Sequence, residues 1–302
     1  MVSLGIGLTN DCNLNCAHCY RPQGKIDNLT LADIQKVCDN LAVQSIGFGT
    51  GENGLNPDYF AIIEDLHNRQ VRMTLASNGH TLSITPDAEL KYFSDVEFSV
   101  DFPDPERQDR FRGAGNWETV TAGIERCRKL GIRVSILAVL MNVNYKDLGR
   151  LARWAASMGT DFRINVFQPM HTTDFMPTFD EYWDAFRILF DQAEIISVTE
   201  PLVNVFAGLD GLRGTPCGGG SIRVTPDRKL KPCVYWPASG LTIDDLASKH
   251  PCFAKRTICR GSATNVIMSS NAGAGARHGE NYGGIWNCRT STAPSIADAA
   301  SS

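Results

Sequence analysis

Short apolar segments alternate with longer amphipathic segments along the first two thirds of the chain. The apolar segments predict strands, and the segments between them have the periodicity of helices with one apolar face. The predicted strands are Leu4–Leu8, Ser45–Phe48, Arg72–Ala76, Val96–Val100, Arg133–Leu140 and Asp161–Phe167. The predicted helices between them are Thr30–Leu41, Pro57–Asn68, Pro86–Phe93, Asn116–Leu130 and Tyr145–Met158.

Repeats of a strand followed by a helix imply parallel strands joined by right-handed crossovers. Six repeats therefore predict an α/β fold, a partial (β/α)6 barrel of the TIM type rather than the closed form with eight units. Thr30 and Asp33 predict a capping box at the start of the first helix. A last amphipathic helix, Phe179–Ala193, is expected to close this first domain, which spans residues 1–200.

The pattern changes beyond residue 200, where a second, smaller domain of residues 201–302 is predicted. Two short apolar segments, Ile222–Thr225 and Leu230–Cys233, flank a Pro-Asp turn and predict a hairpin. Cys217 and Cys233 stand at its two open ends, so they are expected to lie close together. Residues 262–302 are rich in Gly, Ala and Ser and lack periodicity, which is typical of a loop or a disordered segment.

Composition narrows the classes of protein. A chain of 302 residues that is 43% hydrophobic and 21% charged can bury one barrel core and a small extra domain. Its net charge of -4 gives no basic surface for nucleic acid. No segment approaches the roughly 20 apolar residues that span a bilayer, and the amino terminus has no signal peptide. Ten cysteines in such a chain indicate metal ligands in a reducing compartment, so we expect a cytoplasmic protein without a membrane partner.

The strongest chemical signal follows the first strand. Cys12, Cys16 and Cys19 have the spacing C-x3-C-x2-C, which suits a 4Fe-4S cluster that keeps one iron free for a ligand other than protein. Cysteines just past the carboxyl end of a strand lie where barrel active sites are built. A structural zinc site would need four ligands, usually in two paired units, and His18 is poorly placed to be the fourth.

These cysteines and the segments after them resemble the radical S-adenosylmethionine (SAM) superfamily. Phe48–Pro57 resembles its glycine-glycine-glutamate segment, with Thr50 in place of the first glycine and Asn53 in place of proline. Asp109–Gly113 resembles a stretch in the subfamily with cysteine-rich tails. The resemblance implies that SAM binds the open iron, that an external flavodoxin or ferredoxin donates the electron, and that a 5′-deoxyadenosyl radical forms. The residues implied to bind SAM are Tyr20, Gly51, Glu52, Ser77, Asn78, Ser99 and Asp101.

The cysteine-rich tail resembles the SPASM and twitch domains, which hold auxiliary iron-sulfur clusters. Arg228 stands where a glycine is usual, and Ala263 stands where a further cysteine would follow Cys259. Five tail cysteines suffice for one auxiliary 4Fe-4S cluster and leave one thiol over. We assign the cluster to Cys217, Cys233, Cys259 and Cys288, with Cys252 as the spare thiol and Cys288 as the alternative for that role. Cys38 and Cys127 fall in predicted helices and are expected to be small buried residues.

A spare thiol could return a hydrogen atom to a substrate radical, which makes an epimerase the first hypothesis. The predicted barrel begins at the third residue, so we expect leader recognition to need a separate protein, which favours a small-molecule substrate. The resemblance to twitch enzymes with a single auxiliary cluster implies a substrate such as a cationic aminoglycoside, as for a neomycin-type epimerase. The alternatives are a dehydrogenase of an aminocyclitol or sugar alcohol and a peptide-modifying enzyme. Candidate carboxylates for a cationic substrate, each also readable as a surface charge, are Glu118, Asp174, Asp180 and Asp210.

Overall fold

A computed structural model describes residues 2–192, 197–198, 221–232 and 241–246. The described strands form one sheet of ten in the order β10 (Leu241–Thr242), β9 (Lys229–Lys231), β8 (Ser221–Val224), β1, β2, β3, β4, β5, β6 and β7. Its first seven strands in chain order are parallel: β1 Val2–Ile6, β2 Val43–Phe48, β3 Arg72–Ser77, β4 Phe93–Ser99, β5 Arg133–Leu140, β6 Asp161–Val166 and β7 Ser197–Val198. The predicted α/β fold is confirmed, because parallel strands alternate with helices as in a partial radical SAM barrel.

Helices connect the parallel strands. Their bounds are α1 Leu31–Asn40, α2 Tyr59–Asn68, α3 His80–Ile84, α4 Asp87–Leu90, α5 Pro105–Arg112, α6 Asn116–Lys129, α7 Leu148–Ser157, α8 Phe179–Gln192 and α9 Ile243–Leu246. The capping box of α1 is confirmed, since Asp33 N donates to Thr30 Oγ1 at 3.2 Å and Thr30 N donates to Asp33 Oδ2 at 3.1 Å. Short 3-10 turns cover Asn53–Leu55 and Tyr145–Asp147.

Side chains alternate between the two faces of the sheet. Phe98 on β4 packs against Gly123 of α6, where a Cβ atom would lie 2.7 Å from the phenyl ring. The next residue, Ser99, points the other way and lines a cavity at the carboxyl ends of the strands. The layer between sheet and helices is the apolar core, and the opposite face of the strands supports the functional site.

The observed helices differ from the predicted ones at the fourth strand and after it. The predicted helix Pro86–Phe93 is wrong at its end, because Phe93 is buried at the start of β4 and pairs with Met73. Thr85 before the proline is extended, as the residue before proline usually is, and it separates α3 from α4. Helix α5 was not predicted, because Gln108 is its only buried residue and it has no apolar face.

The first strand also ends earlier than predicted, at Ile6 rather than Leu8. Leu8 leaves the ladder to donate its N–H to the side chain of Asn53 at 2.9 Å and to accept from Leu29 N at 2.8 Å. These bonds begin the turn that carries the cysteines away from the sheet. The end of β1 is therefore set by a contact with a residue 45 positions away.

The predicted hairpin is confirmed, but it belongs to the barrel sheet. Strand β8 (Ser221–Val224) pairs antiparallel with β9 (Lys229–Lys231) and parallel with β1, while β10 (Leu241–Thr242) continues the edge beside β9. Arg228 in the turn has φ +66°, which explains why a glycine is usual at this position. The division into domains 1–200 and 201–302 stays a prediction, since residues 199–220 and 247–302 lie outside the described part.

Candidate active site at the carboxyl ends of the strands

A cavity opens at the carboxyl ends of β1 to β6, where barrel active sites are built. The three cysteines of the first loop line it together with most of the residues implied to bind SAM: Cys12, Cys16, Cys19, Tyr20, Gly51, Glu52, Ser77, Asn78 and Ser99. These residues come from four different loops of the sequence. The structure thus brings together what the sequence motifs singled out one by one.

The loop that carries the cysteines is held by its own polar side chains. Asn10 is buried, donates to Lys25 O at 2.8 Å and accepts from Asp27 N at 2.7 Å. The Arg21 guanidinium donates to Asn10 O at 3.0 Å and to Leu14 O at 3.2 Å. Because these bonds join the start of the loop to its end, they fix the shape of the loop that carries the cysteines.

The thiols of this loop are partly buried. Burial raises the pKa of Cys12 to about 11 and also raises the pKa of Cys16, whose rise is opposed by the nearby Arg112 guanidinium. Leu14 N and Asn78 Nδ2 both lie 3.5 Å from the Cys12 sulfur as donors. Iron ligation requires thiolates, and these donors and the Arg112 cation are the groups that stabilise sulfur in that form.

The arrangement does not fit one metal ion. Within the described ranges, no three His, Cys, Asp or Glu side chains lie close enough to hold a single ion. Thiolates that each bind a different iron of a cubane stand farther apart than the ligands of one zinc ion. Three free thiols beside an open cavity therefore fit a cluster with a free iron better than a closed zinc site.

Glu52 has a structural task in the cavity wall. Its carboxylate accepts hydrogen bonds from Ser77 Oγ at 2.5 Å, Asn78 N at 3.0 Å and Thr81 N at 2.8 Å. Both oxygens are thereby used to tie the end of β2 to the loop after β3. The open part of this segment is the backbone at Gly49, where a Cβ atom would meet nothing within 4 Å.

Asp101 differs from its expected place. It is fully buried and is not among the residues that line the cavity. Its carboxylate accepts from Arg112 Nη2 at 2.7 Å and from Val139 N at 2.9 Å. Asp101 therefore positions Arg112, and it is the Arg112 side chain that reaches the cavity.

The sequence motifs did not identify Arg112 or the far wall of the cavity. Arg112 lies inside the Asp109–Gly113 stretch and could have been found there, because it is the basic residue directly before the glycine that ends α5. The wall built by β5, β6 and the loop after β6 consists of Leu137, Val139, Asn165, Val166, Phe167 and Gln168. Leu137 and Val139 alternate along β5, and the other four follow one another at the end of β6, so their place at the strand ends is the signal that could have indicated them.

His18 closes the back of the cysteine loop. Its ring stacks on Phe111 with the ring centres 4.8 Å apart, and Nε2 lies 3.6 Å from Asp101 Oδ2. Burial lowers the pKa of His18 to about 4. The imidazole is therefore neutral; one side of it packs on Phe111, and it also lines the cavity.

The remaining predicted residues divide into two groups. Glu118, Asp174 and Asp180 are exposed and do not line the cavity, so their interpretation as surface charges is confirmed. Cys127 is buried and Cys38 is half-buried against the core, as expected for small apolar residues. Outside the described residues lie Asp210, Cys217, Cys233, Cys252, Cys259 and Cys288, so the auxiliary cluster and the spare thiol stay predictions.

A parallel barrel whose first loop presents three thiols to a cavity at the strand ends indicates a class of iron-sulfur enzyme. Residues 6–155 match the radical SAM superfamily. The chain therefore carries a radical SAM domain, and the cofactors of that family are a 4Fe-4S cluster and SAM. The residues that would hold the cluster are Cys12, Cys16 and Cys19.

Three known proteins show how far the similarity extends. Mycofactocin maturase MftC of Mycobacterium tuberculosis (strain ATCC 25618 / H37Rv) is 23% identical over 301 residues, which cover 93% of this chain and 74% of MftC. A probable GTP 3′,8-cyclase of Methanococcus aeolicus is 30% identical over 183 residues, 56% of this chain and 60% of the cyclase. Streptococcus suis SuiB bound to precursor peptide SuiA has a TM-score of 0.60 at 13% identity, over 88% of this chain and 69% of SuiB.

No described helix is long and apolar enough to cross a membrane.

Proposed function

We propose that this protein is a radical SAM enzyme that modifies a peptide. The observation that carries this proposal is the character of the cavity wall. The wall presents neutral amides and arginines, and of the described residues only Glu52 adds a carboxylate to it. A peptide thus replaces the aminoglycoside as the favoured substrate.

A cationic aminoglycoside would need carboxylates, because ammonium groups bind by pairing with negative charge at short range. Glu52 is poorly available for this pairing, since its two oxygens already accept three hydrogen bonds from the end of β3, the loop after it and the start of α3. Arg21 and Arg112 add positive charge to the wall, and Asp101 neutralises only Arg112. The described part of the cavity therefore disfavours a polyamine.

A peptide has neutral amide groups that need both donors and acceptors. Asn165 and Gln168, at the carboxyl end of β6, present side-chain amides with both kinds of group to the cavity. Leu137, Val139 and Phe167 add apolar wall beside them. This mixture suits a peptide segment with uncharged side chains.

The similarity to known proteins supports the same class. The match to mycofactocin maturase extends over 93% of this chain and so reaches well past the radical SAM domain. SuiB, whose structure was solved with a precursor peptide, has the same fold over 88% of this chain. A radical enzyme for peptides is therefore the class that both the cavity and the relatives favour.

The roles of the residues follow from their positions. Cys12, Cys16 and Cys19 would hold the cluster, and the open backbone at Gly49 with the side chains of Tyr20 and Ser99 would face SAM. With one electron from an external donor, the cluster and SAM would supply a 5′-deoxyadenosyl radical for abstraction of hydrogen from a carbon of the peptide. The protein excludes water, holds Arg112 in place through Asp101 and positions the peptide against β5 and β6. The epimerase hypothesis stays open for a peptide residue, since its thiol donor lies outside the described residues.

The experiment compares substrate classes in one assay. Reconstituted protein, SAM and dithionite are incubated anaerobically in deuterated water with peptides encoded beside its gene, with a neomycin-class aminoglycoside, or with GTP. We expect 5′-deoxyadenosine together with a mass change of one peptide, either a loss of two hydrogens or the replacement of one hydrogen by deuterium. Cys16→Ala is the matched control and should form neither product. Turnover of the aminoglycoside or GTP with all peptides unchanged would contradict the proposal.

A further inference from the structure

The loop after β2 contains a residue whose backbone conformation its side chain disfavours. Thr50 has φ +66°, in the left-handed region that a β-branched residue rarely adopts. The radical SAM pattern usually has a glycine here, which adopts this conformation freely. This chain therefore keeps a threonine where glycine would be relaxed, and an outlier of this kind at a cavity wall points to a function for the side chain.

The surrounding structure holds Thr50 in this conformation from both sides. On one side Gly49 N donates to Ile6 O at 2.8 Å, and on the other Glu52 N donates to Asp11 O at 2.8 Å. Gly51 is also left-handed, and a Cβ atom there would collide with the carbonyl oxygens of Thr9 and Asp11. The loop cannot relax without leaving β1 and the cysteine loop.

Gly7, the first residue after β1, leaves space for the side chain of Thr50. A Cβ atom on Gly7 would lie 2.8 Å from the Cβ atom of Thr50. The side chain is therefore seated against the backbone of the first strand, and its rotation is restricted. From this seat the hydroxyl Oγ1 lies 3.0 Å from the phenol oxygen of Tyr20, within hydrogen-bond distance.

We propose that Thr50 is a positioning residue that fixes Tyr20 for binding of SAM. Tyr20 directly follows the last cysteine of the motif, and both Tyr20 and Thr50 line the cavity. The hydrogen bond joins the cysteine loop to the loop after β2, and both loops line the cavity in which SAM would bind. The strained backbone at Thr50 is retained because it aims this hydroxyl. The inference rests on the proposed use of SAM and not on the identity of the substrate.

The test uses variants that separate the hydroxyl from the shape of the side chain. Thr50→Val keeps the branched shape and removes the hydroxyl, Thr50→Ser keeps the hydroxyl, and Tyr20→Phe removes the partner. The dissociation constant of SAM is measured by equilibrium dialysis on anaerobically reconstituted protein of full iron content. The thermal midpoint of each variant without SAM is measured alongside.

We expect Thr50→Val and Tyr20→Phe each to weaken SAM binding roughly fivefold, as the loss of one hydrogen bond implies. The double variant should be no weaker than either single variant, because both remove the same bond. Thr50→Ser should stay within about twofold of the wild type, and the thermal midpoints should shift by less than about 3 °C. If Thr50→Val loses iron, Tyr20→Phe and its comparison with Thr50→Ser still decide the matter.

Wild-type affinity in both single variants, or losses that multiply in the double variant, would overturn the inference and leave the proposed function standing. Wild-type protein of full iron content that fails to bind SAM would instead remove the proposed function itself, and the role of Thr50 with it.

Discussion

Asp101 and Arg112 form a buried ion pair behind the cavity wall, with side chains 0% and 9% exposed. Burying two charges is costly, so the pair is held by geometry: two nitrogens of Arg112 face one carboxylate oxygen, and Val139 N donates to the other. Removing one charge leaves the other buried without compensation. A substitution of Asp101 is therefore expected to disturb the cavity wall through Arg112, although Asp101 itself does not line the cavity.

We predict that Asp101→Asn lowers the free energy of unfolding by about 3 kcal/mol, because it leaves the Arg112 charge unpaired. The measurement is urea denaturation of the cluster-free protein. The control is Asp184→Asn, which breaks an exposed pair with Arg187 and should cost less than about 1 kcal/mol. Equal effects of the two variants would show that the buried pair has no special weight.

Two single residues show what a departure from a sequence motif means in the structure. Thr50 and Arg228 were noted because the related families have glycine there, and both residues have φ +66°. The motif thus records a backbone conformation, and it could be read as such from the sequence. The task of Asp101 could not be read in this way, because its partner Arg112 is brought to it by the folding of α5.

At the scale of elements, three helices end in the same way. After α2, α6 and α7 the chain turns through a left-handed residue: Gln70 with φ +58°, Gly131 with φ +73° and Gly159 with φ +68°. In α2, Val71 N donates back to Leu66 O at 3.0 Å, and in α6, Ile132 N donates back to Cys127 O at 2.9 Å. These are Schellman ends, at which glycine is preferred.

This pattern gives a reciprocal prediction. Gln70→Gly should raise the free energy of unfolding by about 1 kcal/mol, because it removes the left-handed strain of a residue with a Cβ atom. Gly131→Gln, the matched control, should lower it by about the same amount, since its side chain would enter open space and add only strain. Thermal and urea unfolding measure both. A change of the same sign in the two variants would refute the explanation.

Elements were predictable where an apolar pattern marks them. The strand Arg133–Leu140 was predicted with its observed bounds, because it is mostly apolar and five of its eight positions are buried. Helix α5 has no such pattern, and what starts it is local: Asp104 accepts from Arg107 N at 3.0 Å and Pro105 stands at its first position. A prediction from hydrophobic periodicity missed α5, because this helix has capping residues but no apolar face.

For the whole molecule, the order of the strands in the sheet is the feature that the sequence predicted least well. A hairpin at residues 221–231 was predictable from its turn, but its pairing with β1 was not, because register between distant strands leaves no local trace. The pairing matters since β1 leads directly into the cysteine loop. Gly7 N donates to Val224 O at 3.1 Å, so the segment beyond residue 220 supports the strand that presents the cluster ligands.

Iron content tests whether the molecule holds one cluster site or two. We predict about eight irons per reconstituted wild-type chain and about four in the variant with Cys12, Cys16 and Cys19 all changed to Ala, because each 4Fe-4S cluster holds four. Cys38→Ala and Cys127→Ala, which remove cysteines packed in helices, should keep the wild-type value. The measurement is iron and sulfide analysis with the absorbance of the cluster. A triple variant without iron would exclude an auxiliary cluster in this chain. A triple variant that keeps all the wild-type iron would exclude the first loop as a cluster site, because the thiols that line the cavity would then hold none of it.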